Sequence, residues 1–322
     1  MMTMHKLRTK RENCEETENA MTQPNFLIIG AQKCGTTALY DALCQHPEIY
    51  MSPVKEPFYF VLNGAPPPFP TPSDEYRARL RYTDASYAAL FQAATGQRAI
   101  GEASALYLSS YQPERTADNI YAFNPQMRLI ALLRQPAERA WSAFHYYRTR
   151  GFEPFKRFEA ALAAEATRRN SNVQPDLRHF ANGCYFANLK PYFERFPREQ
   201  IRIYLYEEWN RQPQMVLRDL FTFLGIDESV MIEPGRKNVT FSYRHRWLQR
   251  FLDEPNQGRA MVELLLRGRL RRSVYHRLRA YNRRPAQPLA PALRQALTQR
   301  YRSDIEQLQR LINRDLSHWL TA

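Results

Sequence analysis

FLIIGAQKCGTTALYDAL, residues 26–43, runs from a short apolar, β-prone stretch (Phe26 to Ile29) through a Gly- and Thr-rich turn into a helical pattern. That order makes a phosphate cradle: glycines at 30 and 35 permit a tight turn, and the backbone N–H groups that follow meet an anion at a helix N-terminus. The spacing from Gly30 to Gly35 matches G-x-x-x-x-G-K-[ST], yet Thr36 stands where the nucleotide-gripping lysine belongs, and a lysine comes early in the loop as Lys33. An ordinary ATP or GTP site is disfavoured on that ground.

A second apolar stretch, Arg128 to Leu133, departs further from that pattern. A P-loop NTPase uses another buried strand ending in an acid for Mg²⁺, but this one runs into Arg134 and continues QPAERAWSAF. The planar fork of a guanidinium pairs two oxygens of a second phosphate without a metal, and Ser142 in the following helix adds a hydroxyl. Two phosphate subsites and no metal carboxylate point to a nucleotide bisphosphate, with no metal site expected.

The surrounding pattern predicts an α/β fold. Helical spacing from Thr83 or Asp84 to a stop at Gly96, a strand near Arg98 to Glu102, a helix over 115–123, the strand 128–133 and a helix over 137–148 alternate as a parallel sheet requires. Helices are expected at 156–169 and 185–195, a strand at 201–206, and a helix closing at Gly225. Beyond residue 235 the chain turns Arg-rich, with helices expected from about 259 to 281 and from about 291 to 312. GAPPPFPTPSDE is too proline-rich for a regular element and reads as a surface loop beside the site. The expectation is a P-loop-like central parallel sheet flanked by helices with a mostly helical C-terminal part, residues 25–322 as a single domain after a disordered polar tail at 1–24.

Composition bounds the partners. With 322 residues and 44% hydrophobic content the chain can bury a substantial core. Cysteines at 14, 34, 44 and 184 show neither paired metal spacing nor a disulfide framework, so a reducing cytoplasm is expected. No apolar run is long enough for a membrane span, and the first 24 residues lack the apolar centre of a signal peptide. The net charge of +14 favours anionic partners. Arginines between Arg267 and Arg284 interleave with Leu266, Leu270, Val274, Leu278 and Tyr281, an amphipathic pattern read as a solvated helix face, with an acidic glycan or peripheral membrane contact as its alternative.

GAQKCGTTALYDAL resembles the 5′-phosphosulfate loop of sulfotransferases that use 3′-phosphoadenosine 5′-phosphosulfate (PAPS), and LIALLRQPAERAWSAF resembles their 3′-phosphate motif, R-x-P-x-x-R-x-x-S. The arrangement is similar to the Golgi glycan enzymes of heparan sulfate type and their soluble bacterial relatives. The similarity continues through KEPFYF, GEASALYL, NGCYFANLKPYFERFP, YEEW and FLGI, from roughly residue 25 to the end. Two positions depart from the family pattern: Gln135 replaces the usual acid after the motif arginine, and Ala103 replaces a lysine that glycan enzymes often carry.

The resemblance implies PAPS as donor, adenosine 3′,5′-bisphosphate (PAP) as product, and as acceptor a hydroxyl or amine of a carbohydrate or glycosylated metabolite. It places Lys33 at the oxygen bridging sulfur and the 5′-phosphate, where a cation stabilises the leaving group. Cys34, Gly35, Thr36 and Thr37 complete the loop around the 5′-phosphate, with Cys34 read as a packing residue. Arg134 and Ser142 meet the 3′-phosphate, although Arg134 is also within sequence reach of Glu138, and Arg139 is equally explained by a helix-surface ion pair. Tyr243 is placed to stack on adenine and Arg244 or Lys237 to meet a phosphate, in a basic segment that also contains Arg236. Glu56 is the general base that the resemblance implies, with Glu102 and His145 as rivals. A nucleotide-dependent kinase and a non-enzymatic polyanion or nucleic-acid binder are the competing readings. Thr36 and Arg134 count against the first, and the lack of a nucleic-acid reader motif counts against the second.

Overall fold

Five parallel strands form the central sheet in the order β2-β3-β1-β4-β5. They are β1 (Phe26–Gly30), β2 (Ile49–Met51), β3 (Ala99–Ala103), β4 (Arg128–Leu133) and β5 (Ile201–Leu205). The computed structural model describes residues 22–71, 73–168, 174–235, 241–253, 268–285 and 287–321. Every residue of β1 is buried, as is β4 from Leu129 onward. Strands covered on both faces read as unbroken apolar runs, which is why FLII and LIALL announce them. Phe26 pairs with Gly101 on β3 and with Arg128 on β4. Gly101 is required there, since a Cβ would stand 2.5 Å from the Phe26 ring.

β1 lies in the middle because the chain first builds β2 and β3 on one side of it, then crosses to build β4 and β5 on the other. Such a reversal opens a crevice at the carboxyl ends of the central strands, where α/β sheets bind ligands. Three segments reach that edge together: the loop after β1, the turn after β4, and the PVKEPFYF segment beside β3. Backbone bonds tie each to its neighbour. Ala31 N–H donates to Leu132 O at 2.7 Å, and Glu56 N–H donates to Ala103 O at 2.9 Å.

The helices are α1 (Thr36–Leu43), α2 (Tyr59–Leu62), α3 (Asp74–Arg79), α4 (Asp84–Ala88), α5 (Pro113–Phe123), α6 (Pro136–Thr149), α7 (Phe158–Ala163), α8 (Glu165–Arg168), α9 (Tyr185–Arg195), α10 (Tyr206–Arg211), α11 (Pro213–Leu224), α12 (Arg246–Asp253), α13 (Gly268–Asn282) and α14 (Pro291–Ile312). The α/β architecture is the one expected. The helix predicted over 156–169 is instead two short helices, α7 and α8, that part at Ala164. The pattern from Asp84 is a single helical turn continued by a 3₁₀ turn at Ala89–Phe91. Short strands β6 (Phe241–Tyr243) and β7 (Arg283–Pro285) pair antiparallel, and β6 packs on α6. Residues 1–21 of the expected tail, residue 169, Arg236, Lys237, Leu266, Arg267 and the start of the helix expected at 259 lie outside the described residues.

Candidate active site

Gly35 opens the site by turning the chain into α1. Its φ of 95° is left-handed, and a Cβ there would press to 3.3 Å from the Tyr206 ring. No side chain caps the first turn of α1, so the N–H groups at the start of this helix are donors without a side-chain acceptor. Lys33 shares the left-handed conformation at φ 67°. Its ammonium lies 4.0 Å from the centroid of the Tyr146 ring, and the Arg150 guanidinium lies 3.8 Å from the same centroid. Burial first, then the charges of Arg150 and Arg134, push the Lys33 ammonium down to about 8. Among the described residues no carboxylate stands within ion-pair distance of it. An excess of positive charge gathered around a desolvated lysine is what a polyanion neutralises.

Arg134 arrives in the next crevice at the end of β4. Its nearest carboxylate is Glu138, at a loose 3.8 Å, and its guanidinium sits 4.8 Å from the Tyr206 centroid. The Tyr185 hydroxyl donates to the Arg134 carbonyl at 2.9 Å and anchors the turn. Ser142 is buried on α6. The expected helix-surface role for Arg139 does not hold: it is fully buried on α6 and donates to the His179 carbonyl. Cys34 is buried too, and burial lifts its thiol to about 11, which suits packing and not nucleophilic chemistry. Tyr243 and Arg244 stand on and just after β6. Arg244 N–H donates to Asn282 O at 2.7 Å, and the Arg244 guanidinium is 5.5 Å from the Tyr281 centroid.

The three candidate proton acceptors are sorted by burial. Glu56 keeps its side chain 20% exposed; Oε1 takes the Lys55 ammonium at 2.6 Å, and Oε2 accepts Ala105 N–H at 2.9 Å. The ion pair with Lys55 and this second donor together fix the carboxylate plane. Glu102 is wholly buried, accepts the Ser104 hydroxyl at 2.9 Å, and is raised by burial to about 8. His145 lies edge-on to Trp141 at 4.2 Å, and burial followed by the Arg148 charge lowers it to about 4. Among the described residues no three His, Cys, Asp or Glu side chains gather as a metal site.

Sequence reading missed Tyr146 and Arg150, which bracket Lys33. A signal was available: positions 142 and 146 on α6 and 150 at its C-terminal cap recur every four residues and so follow the face that carries Ser142. It also missed Asp176. Asp176 accepts from Gln32 Nε2 at 2.5 Å, from Gln174 Nε2 at 2.8 Å and from the Tyr76 hydroxyl at 3.3 Å.

Comparison with known proteins shows the family. A family model described as the sulfotransferase domain matches residues 23–250. Carbohydrate sulfotransferase 15 of Mus musculus is 28% identical over 249 residues, which is 63% of this chain and 44% of that protein. The bifunctional heparan sulfate N-deacetylase/N-sulfotransferase of Drosophila melanogaster is 27% identical over 225 residues, 66% of this chain and 20% of its own length. The chain thus matches less than half the length of these curated relatives. A crystal structure of a sulfotransferase from Alicyclobacillus acidocaldarius superposes with a TM-score of 0.71 at 29% identity, over 93% of this chain and all of that one.

Proposed function

Because the chain belongs to the sulfotransferase domain family, we propose that it moves a sulfuryl group from PAPS to a hydroxyl or amine of a carbohydrate or glycosylated metabolite, releasing PAP. One observation carries the reading: Lys33 and Arg134 reach the carboxyl edge of the sheet from the adjacent strands β1 and β4, and Glu56, in the segment that follows β2, is held at the same edge by its backbone bond to Ala103 at the end of β3. The residues present fit a bisphosphate nucleotide. Among the described residues, the loop supplies uncapped N–H donors and a buried ammonium without a counter-ion, and Arg134 is held by one distant carboxylate.

In this proposal the bond from sulfur to the 5′-phosphate oxygen breaks as sulfur bonds to the acceptor oxygen or nitrogen. The acceptor's proton goes to the Glu56 carboxylate, and Lys33 meets the charge left on the phosphate oxygen. Orientation, one base and one stabilising cation are sufficient for such a step. The carbohydrate acceptor rests on the names of the relatives. A cytoplasmic setting is part of the proposal, supported by the free thiols Cys34, Cys44 and Cys184 and tested by cell fractionation. The decisive experiment follows labelled sulfate from PAPS into a panel of glycans, lipids and small phenols. Transfer to a glycan supports the proposal, transfer to phenols alone removes the carbohydrate, and transfer to none of them with no PAP affinity removes the reaction.

A further inference from the structure

Asp176 is a buried carboxylate with no part in the chemistry proposed above, yet it touches two sides of the site. It sits on a 3₁₀ turn, Pro175–Leu177, that the protein holds rigidly. Arg168 donates to Leu177 O at 2.8 Å and Asn182 donates to Pro175 O at 3.0 Å. Arg168 is in turn gripped by both oxygens of buried Glu153, which also takes His179 Nε2 at 2.8 Å. From this fixed turn one Asp176 oxygen receives Gln32, the residue before Lys33, and the other receives Tyr76 on α3. Gln32 also donates to the Tyr147 hydroxyl at 2.8 Å, so the loop is tied to α6 at the same point.

Helix α3 is held through Tyr76, whose ring packs on the apolar cluster of Phe58, Leu62, Phe69, Leu80 and Leu106. It has six residues, none of them buried, and begins at a Ser73 cap. Beyond the tyrosine hydroxyl, its contact toward the site is the Tyr76 ring, 5.8 Å from the Phe58 ring at the end of the segment that carries Glu56. Burial, and next the charge of Glu56, raise the Asp176 carboxyl to about 6. The donor loop and the acceptor-side segment therefore meet through one side chain.

We propose that Asp176 is a positioning residue that locks the phosphate loop and helix α3 into one register, one carboxylate oxygen holding Gln32 and the other holding Tyr76. This rests on the functional reading above for calling α3 the acceptor side. Its consequence is that order imposed on the loop by an anion reaches α3 through Gln32, Asp176 and Tyr76.

The test is amide hydrogen exchange across α3 in the full chain, with PAP as the probe. In the ligand-free protein Gln32→Leu is expected to speed exchange in α3 about threefold or more, although it lies outside that helix. Adding PAP to the wild type is expected to slow α3 exchange about fivefold, and Gln32→Leu, Tyr76→Phe and Asp176→Asn should each abolish that slowing. Calorimetry keeps the arms separate by confirming that Tyr76→Phe still binds PAP within about threefold of wild type. Unchanged α3 exchange in ligand-free Gln32→Leu overturns the proposal, as does PAP-induced slowing that survives in Tyr76→Phe. If the ligand-free effect appears but the wild type does not bind PAP, the donor assignment fails and the positioning role stands.

Discussion

Replacing Lys33 with methionine is expected to slow transfer sharply and, in the ligand-free protein, to raise stability. The folded state holds the Lys33 ammonium at about 8 against an ordinary 10.5, through burial and then the charges of Arg150 and Arg134. Between those values the unfolded chain binds the proton more readily than the folded one, so wild-type stability rises with pH across that window. At pH 7 the folded protein carries a penalty of about 3 kcal/mol for keeping this cation. The contact with the Tyr146 ring, 4.0 Å away, offsets roughly 0.5–2 kcal/mol of it. Methionine removes both terms, leaving a net gain of about 1–2 kcal/mol at neutral pH. Urea unfolding without ligand at pH 7 and pH 9.5 measures it. The variant's advantage should shrink by about 2 kcal/mol at the higher pH, where wild-type Lys33 has already lost its proton. Turnover with PAPS should fall about 10²- to 10³-fold, the scale for one lost stabiliser of developing charge. A variant less stable than wild type at pH 7, or a stability gap indifferent to pH, would refute the argument that the site stores uncompensated positive charge.

Calorimetry should find PAP bound about ten- to 150-fold more tightly than ADP, the value of one charge-assisted contact of roughly 1.5–3 kcal/mol, and Arg134→Met should erase most of that preference. Glu56→Gln is expected to keep PAP affinity while lowering turnover about 10²- to 10⁴-fold. Glu102→Gln and His145→Ala, which alter groups without access or packed on Trp141, should each retain most turnover with PAPS; loss of activity in either, with normal PAP affinity, would reassign the base. Burial pushes the Glu153 carboxyl up, but hydrogen bonds from His179 and Arg168 outweigh it and hold the group at about 2. Glu153→Gln should therefore cost about 3–5 kcal/mol at neutral pH. Wild-type stability from this group should fade as pH drops from the ordinary carboxylate range toward 2, an acid dependence that circular dichroism should find missing in the variant.

The loop after β1 and the turn after β4 were legible because their information is local. Strand, glycine turn and helix follow one another within residues 26–43, and Arg134 and Ser142 lie on one continuous strand-to-helix unit. Hydrophobic runs and left-handed turn positions are properties of neighbouring residues, so the parallel sheet could be read from the same signals. Glu56 was proposed by resemblance, and burial is what separates it from Glu102: one is partly exposed and the other is sealed against Ser104. Tertiary structure alone decided that Arg139 is buried against the His179 carbonyl instead of lying on a helix surface. It alone brought Gln32 and Asp176, 144 residues apart, within hydrogen-bond distance. No local periodicity encodes such a pair, because a buried polar contact depends on which segments the packed core presses together and on the need to satisfy every polar group removed from water.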